Sequence, residues 1–197
     1  MRAEEIIGRD DDKKKITDLL LQSKPEENVS VVPIIGIGGL GKTTLAKMVF
    51  QYKNIGEHFQ LKMWVCVSEK FELKVIVEKI IEAATGSKPD LQMETLQNRL
   101  RDIINGKKYL LVLDDVWNED RGKWLNLRDL LLGGASGSWI VITTRSELVA
   151  KSTGTVSPHV LKGLSNSQSW SLLKQMAFEE QSQESKLYLT LMAYLIS

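Results

Sequence analysis

GIGGLGKTT, residues 36–44, stands between a run rich in β-branched residues and an apolar stretch with helical spacing. The run before it, residues 29–35, is typical of a buried parallel strand, with Pro33 tolerated near its start. The stretch after it places Leu45 and Val49 on one face of a helix. The motif matches G-x-x-x-x-G-K-[ST], in which glycines let backbone N–H groups converge on a phosphate. The sequence therefore predicts a P-loop joining a strand to a helix.

The motif also predicts which side chains meet the ligand. Lys42 is expected to reach the β- and γ-phosphates, and the Thr43 hydroxyl is expected to bind Mg²⁺. The alternative is a glycine-rich turn without a ligand, which the strand–loop–helix context disfavours. The predicted nucleotide-binding residues of the loop are Gly38, Gly39, Leu40, Gly41, Lys42, Thr43 and Thr44.

An acidic pair follows the next long apolar run. Residues 109–114 read Tyr-Leu-Leu-Val-Leu-Asp, which predicts a buried strand ending at Asp114. Mg²⁺-dependent P-loop proteins need such a carboxylate opposite the loop. We expect Asp114 to bind the metal together with Thr43, through water because Mg²⁺ dehydrates reluctantly. Asp115 is the candidate for orienting or activating the attacking water, so the pair and the P-loop together predict Mg-nucleotide binding.

A third candidate lies at the end of the strand predicted over residues 139–143. Thr143, Thr144 and Arg145 form this end, and ligands sit at the carboxyl ends of parallel strands. Arg145 is therefore a candidate sensor of a γ-phosphate. The alternative is that Arg145 starts a helix and lies on the surface, and the residues alone leave both interpretations open.

The composition narrows the class of protein. The 197 residues are 43% hydrophobic and 26% charged, as is usual for a soluble globular protein. A net charge of +1 gives no electrostatic reason to expect nucleic acid or an anionic membrane as a partner. Cys66 is the only cysteine, which excludes an intramolecular disulfide and fits the reducing cytoplasm. The tryptophans lack the interleaved basic residues of a base-stacking surface, and most are expected to pack inside the protein.

Strands predicted at 29–35, 62–67, 109–114, 139–143 and 159–161 alternate with helical patterns. This alternation predicts an α/β protein with both faces of a parallel sheet covered. The predicted fold class is the three-layer α/β/α P-loop NTPase fold with a five-stranded, mainly parallel sheet. Helices are predicted from residue 10 onward and over 43–52, 73–84, 93–104, 124–132, 147–151 and 165–178.

Five motifs occur in the order found in the NB-ARC domain of plant nucleotide-binding leucine-rich-repeat resistance proteins, which this chain resembles. They are Ile7-Gly8-Arg9, the P-loop, and residues 62–68, 110–117 and 137–145. The chain resembles the coiled-coil class of these proteins, because the motif Leu113-Asp114-Asp115-Val116-Trp117 ends in tryptophan. The resemblance covers residues 5 to 180 and is highly specific because the motifs are ordered.

The resemblance implies a cytoplasmic molecular switch that rests with ADP, exchanges it for ATP and has at most slow ATPase activity. It implies that Ile7, Gly8 and Arg9 lie near the adenine. It also implies that the strand ending at Thr143 lies between those of the P-loop and Asp114, which brings Arg145 towards the γ-phosphate. The implied partners are nucleotide and other domains or copies of resistance proteins. Oligomers are expected only if the missing domains are supplied.

The resemblance also divides the chain. Residues 1–28 are interpreted as an N-terminal helix and linker, 29–164 as the nucleotide-binding core, and 165–180 as the start of the helical ARC subdomain. Residues 181–197 no longer match and are interpreted as an atypical tail, from a truncation, a splice product or an altered reading frame. Trp139 replaces the usual lysine without an expected loss of chemistry.

Two other functions remain open. A truncated interaction fragment would modulate full-length relatives without needing nucleotide. A small-molecule P-loop kinase is the other alternative, which the lack of an evident arginine-rich lid disfavours.

Overall fold

The structure is a computed structural model that describes residues 6–22, 28–67 and 70–179. The predicted tail at 181–197 lies outside these residues, and so do residues 23–27, which belong to the predicted linker before the first strand. The chain divides into a larger compact unit, residues 11–162, and a smaller unit to which residues 6–10 and 163–179 belong. None of the helices within the described ranges is both long and apolar enough to cross a bilayer.

The secondary structure follows the predicted alternation closely. Most predicted strands and helices begin and end within three residues of the observed ones. In chain order the elements are α1 (Asp10–Leu21), β1 (Val29–Ile35), α2 (Lys42–Gln51), α3 (Lys53–His58), β2 (Leu61–Cys66), α4 (Leu73–Thr85), α5 (Met93–Ile104), β3 (Tyr109–Asp114), α6 (Arg121–Leu131), β4 (Ser138–Thr144), α7 (Glu147–Thr153), β5 (His159–Val160) and α8 (Asn166–Glu179).

Helix α3 was not predicted. Tyr52 adopts an extended conformation, with φ −64° and ψ 132°, and thereby ends α2. The six residues that follow form their own short helix, in which Ile55 is buried. A helix this short is set by the burial of Ile55 and by tertiary packing, because six residues carry too little periodicity to predict it.

The five strands form one sheet in the order β2-β3-β4-β1-β5, and every pairing between them is parallel. Helices α1, α2 and α3 contribute buried residues to the core on one face, and α4, α5, α6 and α7 to the core on the other. The predicted three-layer P-loop NTPase fold is confirmed. Strand β4 lies between β1 and β3, as the resemblance implied.

Side chains alternate between the two cores along each strand. In β1, Val32 and Ile34 enter the core with α1, α2 and α3, whereas Val29 and Val31 enter the other core. This alternation follows from the two-residue period of a strand. Since both faces are covered, all seven residues of β1 are buried, which explains the apolar run in the sequence.

Pro33 lies late in a central strand, not near its start as predicted. It pairs in register with Ile142 of β4. On the opposite side of β1, the Val31 N–H donates to the Thr155 hydroxyl at 2.8 Å, and pairing with β5 begins only at Ile34. Pro33 is tolerated because it occupies this gap in the ladder, where a strand N–H is not required.

Candidate nucleotide-binding site

The P-loop leaves β1 and enters α2 through two glycines with left-handed backbones. Gly39 has φ 79° and Gly41 has φ 87°, a region that glycine enters without steric cost. Gly41 is the N-cap of α2, and helical bonding begins with the Leu45 N–H donating to the Gly41 carbonyl at 2.8 Å. The loop therefore ends at a helix N-terminus, whose free N–H groups and dipole favour an anion.

Lys42 is folded back over its own loop. Its Nζ donates to the carbonyl of Gly36 at 2.8 Å and to that of Ile37 at 3.0 Å, and the residue is only 7% exposed. Burial and then the positive charge of Arg145 lower the pKa of Lys42, while Asp115 and Asp114 oppose this effect. An anion bound at the loop would offset the burial of this ammonium group.

The first residues of α2 meet the end of β3. The Thr43 hydroxyl donates to Asp114 Oδ1 at 2.9 Å, and Asp114 is 6% exposed. Hydroxyl and carboxylate oxygens are the ligands that Mg²⁺ prefers, and the ion usually keeps several waters. The donor set therefore fits the predicted metal, and the structure brings the two predicted metal residues together.

Thr143 takes part in this cluster in a way that the sequence did not predict. Its hydroxyl donates to Asp114 Oδ1 at 2.6 Å and accepts the Asp115 N–H at 2.8 Å. At this turn the sequence predicted only a γ-phosphate sensor, with Arg145 as the candidate. The structure shows that Thr143 instead orients the carboxylate of the neighbouring strand. The sequence could have indicated this role only through the position of Thr143 at the end of a predicted strand, since that strand, β4, pairs with β3.

Asp115 has an unusual backbone. Its φ of 59° lies in the left-handed region, where a residue other than glycine is uncommon. The conformation is held because the Thr143 hydroxyl accepts the Asp115 N–H and the Thr143 carbonyl accepts the Val116 N–H at 2.9 Å. Such strain persists where surrounding structure fixes it, often at functional sites.

Arg145 lies on the surface and also against the P-loop, and its contact with a γ-phosphate stays a prediction. Helix α7 begins two residues later, at Glu147. A Cβ built on Gly38 would lie 3.0 Å from Nη1 of Arg145. The guanidinium carbon is 4.6 Å from the centre of the Trp117 ring. Trp117 is 44% exposed, whereas Trp124 and Trp139 are buried. The Trp117 ring flanks the arginine.

The other residues named from the sequence are the adenine candidates and Trp139. Ile7, Gly8 and Arg9 belong to the smaller unit, and their proposed contact with adenine stays a prediction. Gly8 has φ 77°, and a Cβ there would come within 2.8 Å of the side chains of Gln168 and Leu164. This position therefore requires glycine for the packing of its own unit. Trp139 is buried at the amino end of β4, beside Ser30 of β1, away from Thr143.

A cavity of about 360 Å³ opens beside the start of the P-loop. Gly36 and Ile37 of the loop line it, as do Arg145 and residues of β1, β5 and α7. Its lining is largely apolar with charged groups among it, a composition typical of small-molecule clefts. The cavity adjoins the phosphate loop but does not include Lys42, Thr43 or Asp114.

Comparisons of sequence place these residues in a known context. A family model described as the NB-ARC domain matches residues 9–183. The chain is 45% identical over 183 residues to disease resistance protein RGA2 of Solanum bulbocastanum, covering 91% of this chain and 19% of that protein. It is 38% identical over 181 residues to the putative disease resistance RPP13-like protein 1 of Arabidopsis thaliana, covering 90% of this chain and 17% of that one. The chain spans about a fifth of the length of these relatives.

Solved structures show the same fold at low sequence identity. The Aeropyrum pernix ORC1 protein, solved in complex with DNA, aligns with a TM-score of 0.66 and 17% identity, covering 88% of this chain and 50% of that one. Cdc6p from Pyrobaculum aerophilum aligns with a TM-score of 0.65 and 17% identity, with the same coverage. At these identities the likeness concerns the fold alone.

The family match contains the phosphate and metal residues described above, whereas Ile7 and Gly8 lie before it. It begins at Arg9 and includes the P-loop, Asp114 and Arg145. The resemblance inferred from the ordered motifs is confirmed, and the relatives are plant disease resistance proteins. The chain belongs to the NB-ARC domain family.

Proposed function

We propose that this chain is the ADP/ATP-binding switch module of a plant disease resistance protein that acts in defence signalling. One observation carries the proposal: the Thr43 hydroxyl and the Asp114 carboxylate lie 2.9 Å apart at the N-terminus of α2. The loop that precedes them holds a nearly buried lysine. This arrangement supports the proposal, because the residues proposed to bind phosphate and metal lie at the carboxyl end of one sheet, where open α/β sheets bind ligands.

Each residue has a role in this proposal. The loop amides from Gly38 to Thr44 hold the phosphates, and Lys42 exchanges its bonds to loop carbonyls for bonds to phosphate oxygens. Thr43 and Asp114 hold Mg²⁺, which neutralises phosphate charge when bound. Thr143 keeps the Asp114 carboxylate oriented.

The state-dependent part of the switch involves two more residues. Asp115 positions a water near the terminal phosphate, and Arg145 contacts the γ-phosphate that ATP has and ADP lacks. Ile7, Gly8 and Arg9 remain the proposed adenine contacts. We propose slow hydrolysis at most, because the role of the site is to distinguish two bound states.

The proposed partners are the other domains or copies of resistance proteins, since the relatives are about five times longer than this chain. We propose a cytoplasmic setting, consistent with a single cysteine, and no nucleic-acid partner. A net charge of +1 supports the last point, because binding to a phosphate backbone depends on concentrated positive charge.

The test is a comparison of nucleotide binding by the full chain and by two lysine variants. Nucleotide released on denaturing the purified protein is identified by chromatography, and fluorescent ADP is titrated against each variant. Lys42→Ala should weaken binding roughly 10- to 100-fold, because hydrogen bonds to a charged group are lost. Lys47→Ala is the matched control, since Lys47 is an exposed lysine on the same helix.

We expect ADP to be carried through purification and Lys47→Ala to bind like the wild type. Equal affinities for the wild type and Lys42→Ala would refute a site dominated by the P-loop. The absence of any binding to the wild type would refute the proposed function itself.

A further inference from the structure

Trp117 has no role in the proposed site so far, yet it is in contact with it. The ring is 44% exposed, which is unusual because burial of a large apolar side chain is energetically favourable. Its face lies 4.6 Å from the guanidinium carbon of Arg145, within the range of a cation–π interaction. The same guanidinium approaches the P-loop at Gly38, with Nη1 3.0 Å from the place of a Cβ there. Arg145, although exposed, is thus flanked by Trp117 and by the loop.

The backbone segments that carry the two residues are tied together. The Thr143 carbonyl accepts the Val116 N–H at 2.9 Å, and the Thr144 hydroxyl donates to the Val116 carbonyl at 2.7 Å. Val116 precedes the tryptophan and Thr144 precedes the arginine. Both bonds hold the residue that precedes Trp117 against the two residues that precede Arg145.

A further bond closes the other side of the pair. The Ser146 hydroxyl, one residue after Arg145, donates to Glu119 Oε1 at 2.6 Å. The Ser146 N–H in turn donates to the Thr144 hydroxyl at 3.1 Å. The positions of the two side chains are therefore coupled through their own loops, and the stack does not depend on the ring contact alone.

We propose that Trp117 is a positioning residue that holds Arg145 over the P-loop and so makes the site favour a nucleoside triphosphate over a diphosphate. This inference rests on the proposed function, and it adds the residue that sets the preference. A guanidinium stacked on a ring uses its face, and its N–H donors still point outward in the plane. Those donors suit the oxygens of a terminal phosphate, which accept paired hydrogen bonds.

Preorganisation explains why the effect should be selective. A free arginine side chain loses rotamer freedom when it binds a phosphate, and a stacked one has already lost much of it. Only a ligand with a third phosphate gains from this arrangement, because the diphosphate does not reach the group that Arg145 is proposed to contact. Loss of the ring should therefore weaken triphosphate binding and leave diphosphate binding unchanged.

The experiment measures the affinities of the full chain for Mg-ATPγS and Mg-ADP by calorimetry. Trp117→Leu removes the π face but keeps an apolar side chain, and Trp117→Phe keeps a smaller face. We expect Trp117→Leu to weaken ATPγS about two- to fivefold, the range for an exposed cation–π pair, with ADP unchanged. Trp117→Phe should restore at least half of that loss.

The control removes a cation–π pair at the other end of α2. Lys13 Nζ lies 4.5 Å from the centre of the Tyr52 ring, and Tyr52 follows the 10-residue helix, which is about 15 Å long at 1.5 Å per residue. Tyr52→Leu should leave the ratio of the two affinities unchanged. Thermal unfolding of every variant checks that the fold is retained.

A double-mutant cycle tests whether Trp117 acts through Arg145. In the Arg145→Gln background, Trp117→Leu should have no further effect on the ratio of affinities. The inference would be overturned if Trp117→Leu left the ratio of the two affinities unchanged, whether by no loss or by an equal loss for both nucleotides. It would also be overturned if Trp117→Leu changed this ratio as much in the Arg145→Gln background as in the wild type. Either result would leave the proposed function intact. A wild type that binds neither nucleotide would overturn both.

Discussion

The two ends of the sheet are both polar, but they use polar groups differently. At the amino end, buried Tyr109 donates from its hydroxyl to the Leu131 carbonyl at 2.8 Å. Its N–H donates to Ser138 Oγ at 3.1 Å, and that hydroxyl donates to the Ala135 carbonyl at 2.7 Å. These side chains pair with main-chain groups that the fold holds in place. Burial raises the pKa of Tyr109, so it stays a neutral donor.

At the carboxyl end, charged side chains replace the neutral ones. Thr43 and Thr143 both donate to Asp114, and Lys42 donates to carbonyls of its own loop. Buried charges are costly unless they are paired. Side chains bonded to one another, or to carbonyls of a loop, can exchange these partners for a ligand. The comparison teaches that one end of the sheet stabilises the fold, whereas the other holds the bonds that the proposed nucleotide and metal would replace.

Tyr109→Phe should have the largest effect and should act on the fold alone. Loss of the hydroxyl leaves the buried Leu131 carbonyl without this donor, so the free energy of unfolding should fall by about 1–3 kcal/mol. Urea titration measures the change, and ADP affinity should be unaltered. Tyr52→Phe, at a half-buried tyrosine, is the control and should lose less. A Tyr109→Phe protein as stable as the wild type would erase the proposed difference between the two ends.

Asp114→Asn should act on binding and little on the fold. The asparagine oxygen can still accept from Thr43 and Thr143, but the negative charge that favours Mg²⁺ is lost. We expect the gain in ADP affinity from Mg²⁺, about five- to tenfold in the wild type, to fall to about onefold. Titrations with Mg²⁺ and with EDTA measure it.

Asp129→Asn, at an exposed aspartate of α6, is the matched control and should keep the full Mg²⁺ dependence. If Asp114→Asn retained the same Mg²⁺ dependence, Asp114 would not be the metal ligand. If it instead unfolded the protein, the carboxyl end would serve stability in the same way as the amino end.

The smallest effect concerns pH at the amino end. Lys108 Nζ lies 2.6 Å from His58 Nε2 and donates to it when the imidazole is neutral. Burial, and then the charge of Lys108, lowers the pKa of His58 from 6.5. Between that lowered pKa and 6.5 the unfolded chain binds more protons, so stability should rise with pH across this window and be lost as pH falls.

His58→Asn should remove this part of the pH dependence, which amounts to about 0.5 kcal/mol or less in the free energy of unfolding. Unfolding free energies of both proteins between pH 5 and 7 measure it, with the difference between the two proteins taken at each pH. Identical slopes in the two proteins would show that the contact with Lys108 does not matter. ADP affinity in the same range should not depend on His58.

Much of the fold followed from the sequence because its evidence is local. Strand β3 was predicted with its observed bounds, and Asp114 was placed at its end. The buried run of β1 and the glycines of the P-loop were likewise recognised from neighbouring residues. The family resemblance predicted only that β4 lies between β1 and β3, since no local pattern states which strands become neighbours.

The features that the sequence predicted wrongly or not at all depend on tertiary contacts. Pro33 was placed near the start of its strand, and the gap beside it became visible only with the path of residues 155–158 towards β5. Helix α3 is too short for its periodicity to show. Trp117 and Trp170 are the exposed exceptions to the expectation that most tryptophans pack inside, and the ring of Trp117 lies against a cation that comes from another strand.

The amino-acid sequence by itself determined the phosphate loop, the acidic strand end and the alternation that builds a parallel sheet, because each depends on residues close together along the chain. Only the tertiary structure decided that Thr143 orients Asp114 and that Trp117 flanks Arg145. Those contacts join side chains from different strands. Their distances depend on strand order, register and loop conformation, which exist only after the chain has folded.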